Sequence, residues 1–472
     1  MKKLLLCSLL WCCANALAEA PSTVAIRNAK IVTVSGPVIA KGTVVLKNGL
    51  IEAVGENVTV PADAWVVDGE GMTIYPGLID ALSTVGIPGA PAAGGGGRGG
   101  RGGAATAQTA APAAQAAPAE RSWGPEDRPQ TTSWQLAADE LQAGDKRVET
   151  VRGGGITTAV TYPTRGIFAG QGSIIDLVSG EKSAEMVLVP SAGQYISMGA
   201  GRGFGGGGGG GFPSSLMGII SYVRQLYLDA NHYKAVKDAY AKDPRGMQRP
   251  EYDRALEGLL ASQRFLLPAN QLIEIDRMLR FGAELKTITP VPQTMILYGA
   301  REAYRPEAVD LLKKANVPVL LSLKWPTPPA RTADSDDSNE TLRTLIERDK
   351  APSAPAALQK AGVKFALYSD GTDAPRDFNR AVKKAIDAGL SREDALRALT
   401  LSPAEIYGIA DRVGSIDKGK IANIVVTKGE IFDDRTQVVM VFVDGKKYTP
   451  EAPAQGGRGG PATADPGAGG NQ

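Results

Sequence analysis

Histidine is almost absent from this sequence, and its scarcity excludes the most familiar hydrolytic metal sites. The chain has 472 residues and one histidine, His232. Zinc enzymes generally hold their metal through two or more imidazoles, so mechanisms that need two histidines are excluded. His232 itself stands in a predicted helix beside Tyr233 and Lys234, and we interpret it as a residue of an amphipathic helix surface.

The charge balance and the distribution of apolar residues exclude two further classes of protein. Lysine and arginine number 52 against 50 aspartates and glutamates, with no basic stripe, so nucleic acid is not an expected partner. After the N-terminus no apolar run reaches the roughly 20 residues of a membrane span, which excludes a polytopic membrane protein. Hydrophobic residues still make up 43% of the chain, enough for a large core.

Cysteine is confined to residues 7–13, inside a segment that the sequence predicts to be a cleavable signal peptide, residues 1–18. A basic start precedes an apolar run at residues 4–13 that is too short to span a bilayer, and residues 16–18 fit the small-x-small cleavage pattern. An N-terminal anchor is the alternative. Cleavage would leave a cysteine-free chain without a transmembrane segment, placed in the periplasm or secreted.

Both ends of the remaining chain have the pattern of short β-strands. The dipeptides Asn48-Gly49 and Asp444-Gly445 are hairpin turn signals between β-type runs. We therefore predict that residues 23–75 and 413–448 together form one composite β-sandwich domain.

The middle of the chain, residues 76–412, alternates β-type runs with amphipathic helices. This alternation predicts an α/β fold, a TIM-like (β/α)8 barrel. Helix signals include an apolar face over residues 272–285, and Ser402-Pro403 as the cap and first residue of a later helix. Seven strand candidates are recognisable, one fewer than the barrel requires: residues 74–82, 156–162, 186–190, 265–267, 295–298, 317–323 and 363–368.

Three segments of small and flexible residues are predicted to be disordered: residues 88–121, 199–211 and 451–472. The arginine-glycine pieces of the first segment leave RNA contact as an alternative to a plain linker. The first two segments follow predicted barrel strands, and loops after barrel strands line the catalytic face. We therefore expect both to lie over the place where a substrate would bind.

Two motifs in the correct order resemble the amidohydrolase superfamily. Residues 75–86, YPGLIDALSTVG, resemble the first barrel strand of that family, where Pro-Gly-Leu-Ile-Asp precedes a His-x-His pair. Residues 414–426, GSIDKGKIANIVV, resemble the strand with which such chains return to their β-domain. Residues 155–160 and 363–370 look like the second and last barrel strands, and the likeness is greatest to the imidazolonepropionase branch. The resemblance implies a metal-dependent hydrolase of carbon–nitrogen bonds other than peptide bonds.

The metal ligands that this resemblance implies are missing. In the family, four histidines and an aspartate typically hold one or two divalent ions, such as zinc. Here Leu82 and Thr84 occupy the His-x-His positions, and the strand ends at residues 268–270 and 299–301 also lack an imidazole. Leucine cannot bind a metal and threonine is a poor neutral ligand. The sequence therefore predicts no metal cofactor.

Asp370 is the one family-type catalytic position that survives, and it has two interpretations. It could take a proton from metal-bound water, or it could belong to a polar turn, Ser369 to Asp373, that caps the next helix. The structural interpretation is favoured, because an isolated carboxylate has no activated water to act on. Lys286 and Lys324 are, by position, candidates for a carboxylated lysine, but the metals it would bridge lack their other ligands.

Two hypotheses about function remain. The first is an amidohydrolase-type hydrolase with a degenerate metal site and weak or no metal-dependent activity. The second is a catalytically silent homologue that binds a small molecule or partners an active paralogue, as a homo-oligomer or hetero-oligomer. The residue chemistry favours the second hypothesis, whereas the family resemblance alone favours the first. No substrate-binding residue can be named from the sequence.

Overall fold

The computed structural model describes residues 23–87, 127–180, 182–199, 213, 215–328, 340–433 and 435–450. The predicted signal peptide, residues 1–18, lies outside them, as do the predicted disordered segments 88–121 and 451–472. The segment 199–211 also lies outside them, apart from Gly199. Over the described residues, no helix combines the length and apolar character needed to cross a bilayer.

The described strands form two eight-stranded sheets. They are β1 (Thr23–Ile31), β2 (Ile39–Lys47), β3 (Leu50–Gly55), β4 (Trp65–Asp68), β5 (Thr73–Pro76), β6 (Leu78–Ser83), β7 (Ile156–Thr161), β8 (Phe168–Asp176), β9 (Val187–Ile196), β10 (Arg264–Ala269), β11 (Thr294–Gly299), β12 (Val319–Ser322), β13 (Phe365–Tyr368), β14 (Ile424–Lys428), β15 (Gln437–Val443) and β16 (Lys446–Tyr448).

The described α-helices lie mainly between the barrel strands. They are α1 (Ala137–Glu140), α2 (Lys146–Gly153), α3 (Leu216–Lys242), α4 (Arg254–Ala261), α5 (Leu272–Ile288), α6 (Pro306–Ala315), α7 (Leu342–Lys350), α8 (Ala354–Ala361), α9 (Pro375–Asp387), α10 (Arg392–Ala398) and α11 (Leu401–Tyr407).

The first sheet, here called the terminal sheet, joins the two ends of the chain. Its order is β16-β15-β14-β5-β1-β2-β3, and β4 pairs with β1. The join is the antiparallel pair β5–β14, in which Thr73 lies opposite Thr427. Apolar side chains from both ends, among them Ile26, Ile74 and Phe442, form one buried cluster. Neither end therefore has a complete core without the other.

Both hairpin turns predicted from the sequence are confirmed. Asn48 and Gly49, between β2 and β3, have φ of 52° and 79°, and Asp444 and Gly445, between β15 and β16, have φ of 51° and 72°. Two consecutive positive φ values are what a type I′ turn requires. The turns also meet, because Ala422 donates its N–H to Gly49 O at 2.8 Å and accepts from Gly445 N at 3.2 Å.

The second sheet is the barrel, with β6 to β13 in chain order. Its two edges come together where Ser369, just after β13, donates its backbone N–H to Asp80 Oδ1 of β6 at 3.0 Å. A large apolar cluster fills the space between the barrel strands and the helices outside them. The predicted fold class, a TIM-like α/β barrel with a sheet domain formed from both chain ends, is confirmed.

The strand that the sequence did not reveal is β8, and it runs antiparallel to both β7 and β9. A search for strand–helix–strand units misses it, because a short loop rather than a helix leads from β7 into β8. Its sequence, FAGQGSIID, also has too few branched residues for a clear strand pattern. Since β8 runs the other way, its last residue, Asp176, lies at the opposite end of the barrel from the last residue of β7.

Asp176 connects the barrel to the terminal sheet. Its Oδ1 accepts from Thr158 Oγ1 and from Asn423 Nδ2, each at 2.8 Å. Asn423 Oδ1 in turn accepts from the backbone N–H of Asp444 at 2.8 Å. Burial raises the pKa of Asp176 to about 6, against the opposing effect of these two hydrogen bonds.

The prediction of a single strand over residues 74–82 is wrong, because these residues form parts of two strands in different sheets. Strand β5 belongs to the terminal sheet and β6 to the barrel, and the chain passes between them at Gly77. A Cβ at residue 77 would stand 2.0 Å from Thr157 Oγ1, so the crossing requires glycine. An apolar run in a sequence does not show where a chain leaves one sheet for another.

Two helix assignments also need correction. Lys286 does not follow a strand: it is an exposed residue of α5, because the apolar periodicity of residues 272–285 continues past it. It cannot be the carboxylated lysine of a strand end. The helix predicted to begin at Pro403 begins at Leu401, with Thr400 as its cap. Pro403 still lies in the first turn, where a missing N–H costs no intrahelical bond.

Candidate functional site

The candidate site is a cavity of about 60 Å³ at the end of the barrel where β6, β7, β11 and β13 finish. We call it the barrel mouth. Active sites of such barrels lie at this end, on the loops that follow the strands. Four tyrosines contribute to its wall: Tyr162, Tyr195, Tyr298 and Tyr368. The other side chains of the wall are Leu82, Ser83, Thr84, Thr164, Asp370 and Asp373.

The tyrosines pack on one another across the barrel. The ring centroids of Tyr195 and Tyr298 are 5.2 Å apart in a stacked arrangement, and those of Tyr162 and Tyr195 are 5.7 Å apart. Burial raises the pKa of Tyr195 to about 12 and that of Tyr298 and Tyr368 well above the ordinary value. The hydroxyls therefore stay protonated, and the tyrosine part of the wall is neutral and aromatic.

The sequence reasoning did not identify the tyrosines, although a signal for them was present. Three of the seven predicted strands end on tyrosine, at Tyr162, Tyr298 and Tyr368. Parallel barrel strands finish at the same face. A residue type that recurs at the last position of several strands is therefore a candidate lining of the mouth.

Gly172 on β8 makes room for one of these rings. A Cβ at residue 172 would stand 2.3 Å from Tyr162 Cε1. We expect Gly172→Ala to push Tyr162 out of the mouth and to lower the free energy of unfolding by about 1–3 kcal/mol, as overpacking usually does. Urea denaturation of the variant would measure the loss.

A double variant identifies the cause of that loss. In a Tyr162→Leu background the same substitution should cost far less, because the clashing ring is gone. Gly144→Ala is the matched control, since a Cβ there meets nothing within 4 Å. An equal loss with and without the ring would show that Tyr162 is not what Gly172 accommodates.

Asp370 lies where the sequence predicted it, directly after β13, and it contributes to the barrel mouth. Its φ is 48°, a left-handed backbone that turns the chain sharply at the strand end. Ser322 Oγ, at the end of β12, donates to Asp370 Oδ2 at 2.7 Å. Burial raises the pKa of Asp370, and Ser322, Lys324 and Arg301 oppose that rise.

A second acidic group lies deeper, and it was not predicted as a site residue. Ser369 Oγ is 2.6 Å from Asp80 Oδ2 and 3.2 Å from Asp373 Oδ1. The Ser369 hydroxyl has one proton and can donate to only one of these carboxyl groups. The second hydrogen bond therefore requires that Asp80 or Asp373 is itself protonated and donates to Ser369 Oγ. Burial raises the pKa of Asp80 to about 7 and also raises the pKa of Asp373. Asp80 is the aspartate of the Pro-Gly-Leu-Ile-Asp motif. Asp373 belongs to the wall of the mouth, whereas Asp80 does not.

The residues at the mouth do not fit the family's metal. Leu82 is apolar, and the oxygens of Thr84 are occupied by a cation: Arg147 Nη1 donates to Thr84 Oγ1 at 3.2 Å and Nη2 to Thr84 O at 2.9 Å. The guanidinium is fixed there by Asp145, 2.7 Å from Nη2. No group of three histidine, cysteine, aspartate or glutamate side chains suited to a metal occurs among the described residues.

The remaining sequence candidates lie away from the cavity wall. The Lys324 side chain is exposed, two residues beyond β12, and His232 is exposed on α3. Arg301, which follows β11, has a buried Nε without a hydrogen-bond partner in the described part of the chain. The site therefore combines neutral tyrosines with two carboxyl groups, and neither Lys324 nor Arg301 belongs to its wall.

Known proteins agree with this architecture. The model of the amidohydrolase family matches residues 287–448. The crystal structure of an amidohydrolase from Thermotoga maritima superposes with a TM-score of 0.66 at 25% identity, over 90% of this chain and 99% of that one. The fold is therefore similar to that of an amidohydrolase barrel with a terminal sheet. The chain therefore resembles the amidohydrolase superfamily, through the match at residues 287–448 and through its fold.

Two curated relatives match short stretches. N-acetylglucosamine-6-phosphate deacetylase of Haemophilus influenzae is 39% identical over 67 residues, which are 14% of this chain and 16% of that protein. Imidazolonepropionase of Flavobacterium psychrophilum is 40% identical over 72 residues, 14% of this chain and 18% of that protein. The matches thus span less than a fifth of either relative's length.

Proposed function

We propose that this protein binds a small molecule at the barrel mouth and does not carry out metal-dependent hydrolysis. The observation that carries the proposal is the state of the His-x-His positions, where Leu82 has no ligand atom and Thr84 is bonded to the Arg147 guanidinium. A superfamily fold fixes the position of a site but not its chemistry. A cavity lined by the tyrosines lies at this position and could hold a ligand.

Metal content is the first test. The purified protein should hold well under one equivalent of zinc, manganese or iron after mild dialysis, because the mouth lacks the imidazole ligands that retain such ions. Elemental analysis measures this, with an amidohydrolase that has the His-x-His pair purified in parallel. A stoichiometric metal ion in this protein would contradict the proposal.

Ligand binding is the second test. A thermal-shift panel of small cations, anions and neutral molecules should include compounds that raise the melting temperature, since a ligand at about 100 times its Kd stabilises the folded state by about 2.7 kcal/mol. The rise should be lost in Tyr195→Leu, which removes one wall of the mouth. A panel without any shift that depends on Tyr195 would argue against a ligand site there.

Hydrolysis of non-peptide carbon–nitrogen bonds is the second candidate, and the position of Asp370 favours it. Asp370 lies at the end of β13, beside the cavity, as the resemblance implies for a proton acceptor. If hydrolysis occurs, Asp370→Asn should abolish it. Turnover that survives this substitution would come from another group.

We also propose that the protein acts outside the cytoplasm. The support is the basic, apolar and small-x-small pattern of residues 1–18. N-terminal sequencing of the mature protein tests it. A mature chain that begins at Met1 would contradict export by cleavage.

A further inference from the structure

The chemical character of the wall indicates which ligand the mouth takes. The wall presents phenol rings, hydroxyls and two carboxyl groups, and no lysine, arginine or histidine belongs to it within the described residues. The face of a phenol ring, a phenol oxygen and a carboxylate all attract a positive charge. Tyr162, Tyr195 and Tyr368 are at most 6% exposed, so these interactions are shielded from water.

Three basic residues near the mouth, Arg147, Arg301 and Lys324, do not belong to the cavity wall. Arg147 is held by Asp145 and donates to Thr84 and to Ile87 O, the latter at 2.9 Å. The Lys324 side chain is exposed, and neither it nor Arg301 belongs to the cavity wall. Both act on Asp370 through space, and their positive charge favours its ionised form. They therefore help to keep a carboxylate available at the wall.

The size of the cavity limits the ligand. A cavity of about 60 Å³ has room for roughly two to four water molecules, at about 15–30 Å³ for each. That corresponds to a head group of roughly two to four heavy atoms, such as a methylated ammonium. A larger ligand would have to leave its remainder outside the ring of tyrosines.

We propose that the barrel mouth binds the cationic head of a small alkylammonium compound, held between the tyrosines and the carboxylates of Asp370 and Asp373. The inference rests on the proposed function and gives its ligand a class. Quaternary ammonium groups are recognised in this way by aromatic side chains in other proteins. The charge of the head, rather than its shape, makes the main contribution.

The test compares choline with 3,3-dimethyl-1-butanol, in which a carbon replaces the charged nitrogen. Isothermal titration calorimetry on the full protein should give at least tenfold tighter binding for choline. Asp370→Asn and Asp373→Asn should each weaken choline binding at least threefold and leave the affinity for the neutral compound unchanged. Asp238→Asn is the matched control, because Asp238 lies on α3 with a side chain that is 65% exposed; it should change neither affinity.

The other outcomes separate this inference from the proposed function. Equal binding of choline and its neutral analogue would show an apolar pocket and overturn the inference. Tighter binding of acetate than of choline would assign the ligand to Arg301 and would overturn it as well. In both cases, a ligand whose binding is lost in Tyr195→Leu would still support the proposed function. If no compound of any charge binds, the inference and the proposed function both fail.

Discussion

Deleting residues 413–448 should abolish folding and give insoluble protein, because the strands of the N-terminal end lose their partners. The deletion removes β14, β15 and β16, and with them the antiparallel partner of β5. These three strands carry seven large apolar side chains that are each at most 5% exposed: Ile424, Val425, Val426, Met440, Val441, Phe442 and Val443. Burial of each stabilises the fold by about 1.5–3 kcal/mol.

Together these contributions amount to about 10–20 kcal/mol. The whole stability of a typical domain is about 5–15 kcal/mol, so their loss is large enough to unfold it. Solubility and cooperative thermal unfolding measure the outcome. A chain that ends at residue 452 is the control: it lacks the Gly/Pro/Ala-rich end but keeps β16, and its melting temperature should change little. A soluble, cooperatively folding deletion variant would mean that the two ends are independent.

Asp80 should make the protein less stable as the pH rises. Its pKa is raised to about 7 by burial, from about 3.9 in an unfolded chain. Between those values the folded state holds a proton that the unfolded state has lost, so the free energy of unfolding falls by about 1.4 kcal/mol per pH unit. The loss of unfolding free energy is negligible below pH 4 and reaches its full size, about 4 kcal/mol, above pH 7.

Asp80→Asn should remove this dependence, since the amide cannot titrate. Urea denaturation at intervals from pH 5 to pH 8 should show the native protein losing stability relative to the variant, with most of the change by pH 7. Asp176→Asn should give a smaller effect that ends near pH 6, where Asp176 titrates. Asp349→Asn, at a side chain that is 71% exposed, is the control and should give none. A constant difference between Asp80→Asn and the native protein would show that Asp80 does not hold a proton.

The elements that local chemistry determines were predictable from the sequence. Asn48-Gly49 and Asp444-Gly445 identify their turns, because few other dipeptides accept two positive φ values. The two chain ends could be joined in one sheet from their shared β pattern. The fold class followed from alternating strands and helices, and Asp370 followed from a motif at the end of a predicted strand.

The features that were missed depend on contacts between distant segments. Six of the nine residues of strand β8 are small or polar, and its place in the barrel depends on pairing with β7 and β9 on its two sides. The change of sheet at Gly77 depends on Thr157, eighty residues away in the chain. The tyrosine wall is assembled from four strands, so no linear motif describes it.

The long separation between the partners in the terminal sheet has a consequence for the order of folding. Lys30 Nζ is bonded to Glu430 Oε1 at 2.8 Å across 400 residues of chain, whereas β7, β8 and β9 pair with their immediate neighbours in sequence. Closing long loops slows folding, so we expect the local meander of β7, β8 and β9 to form early and the pairing of β5 with β14 to form late. During synthesis, the edge of β5 that pairs with β14 therefore stays unpaired until nearly the whole chain has been made. An unpaired strand edge can pair with another chain, so we expect this edge to be a site of aggregation in the nascent protein.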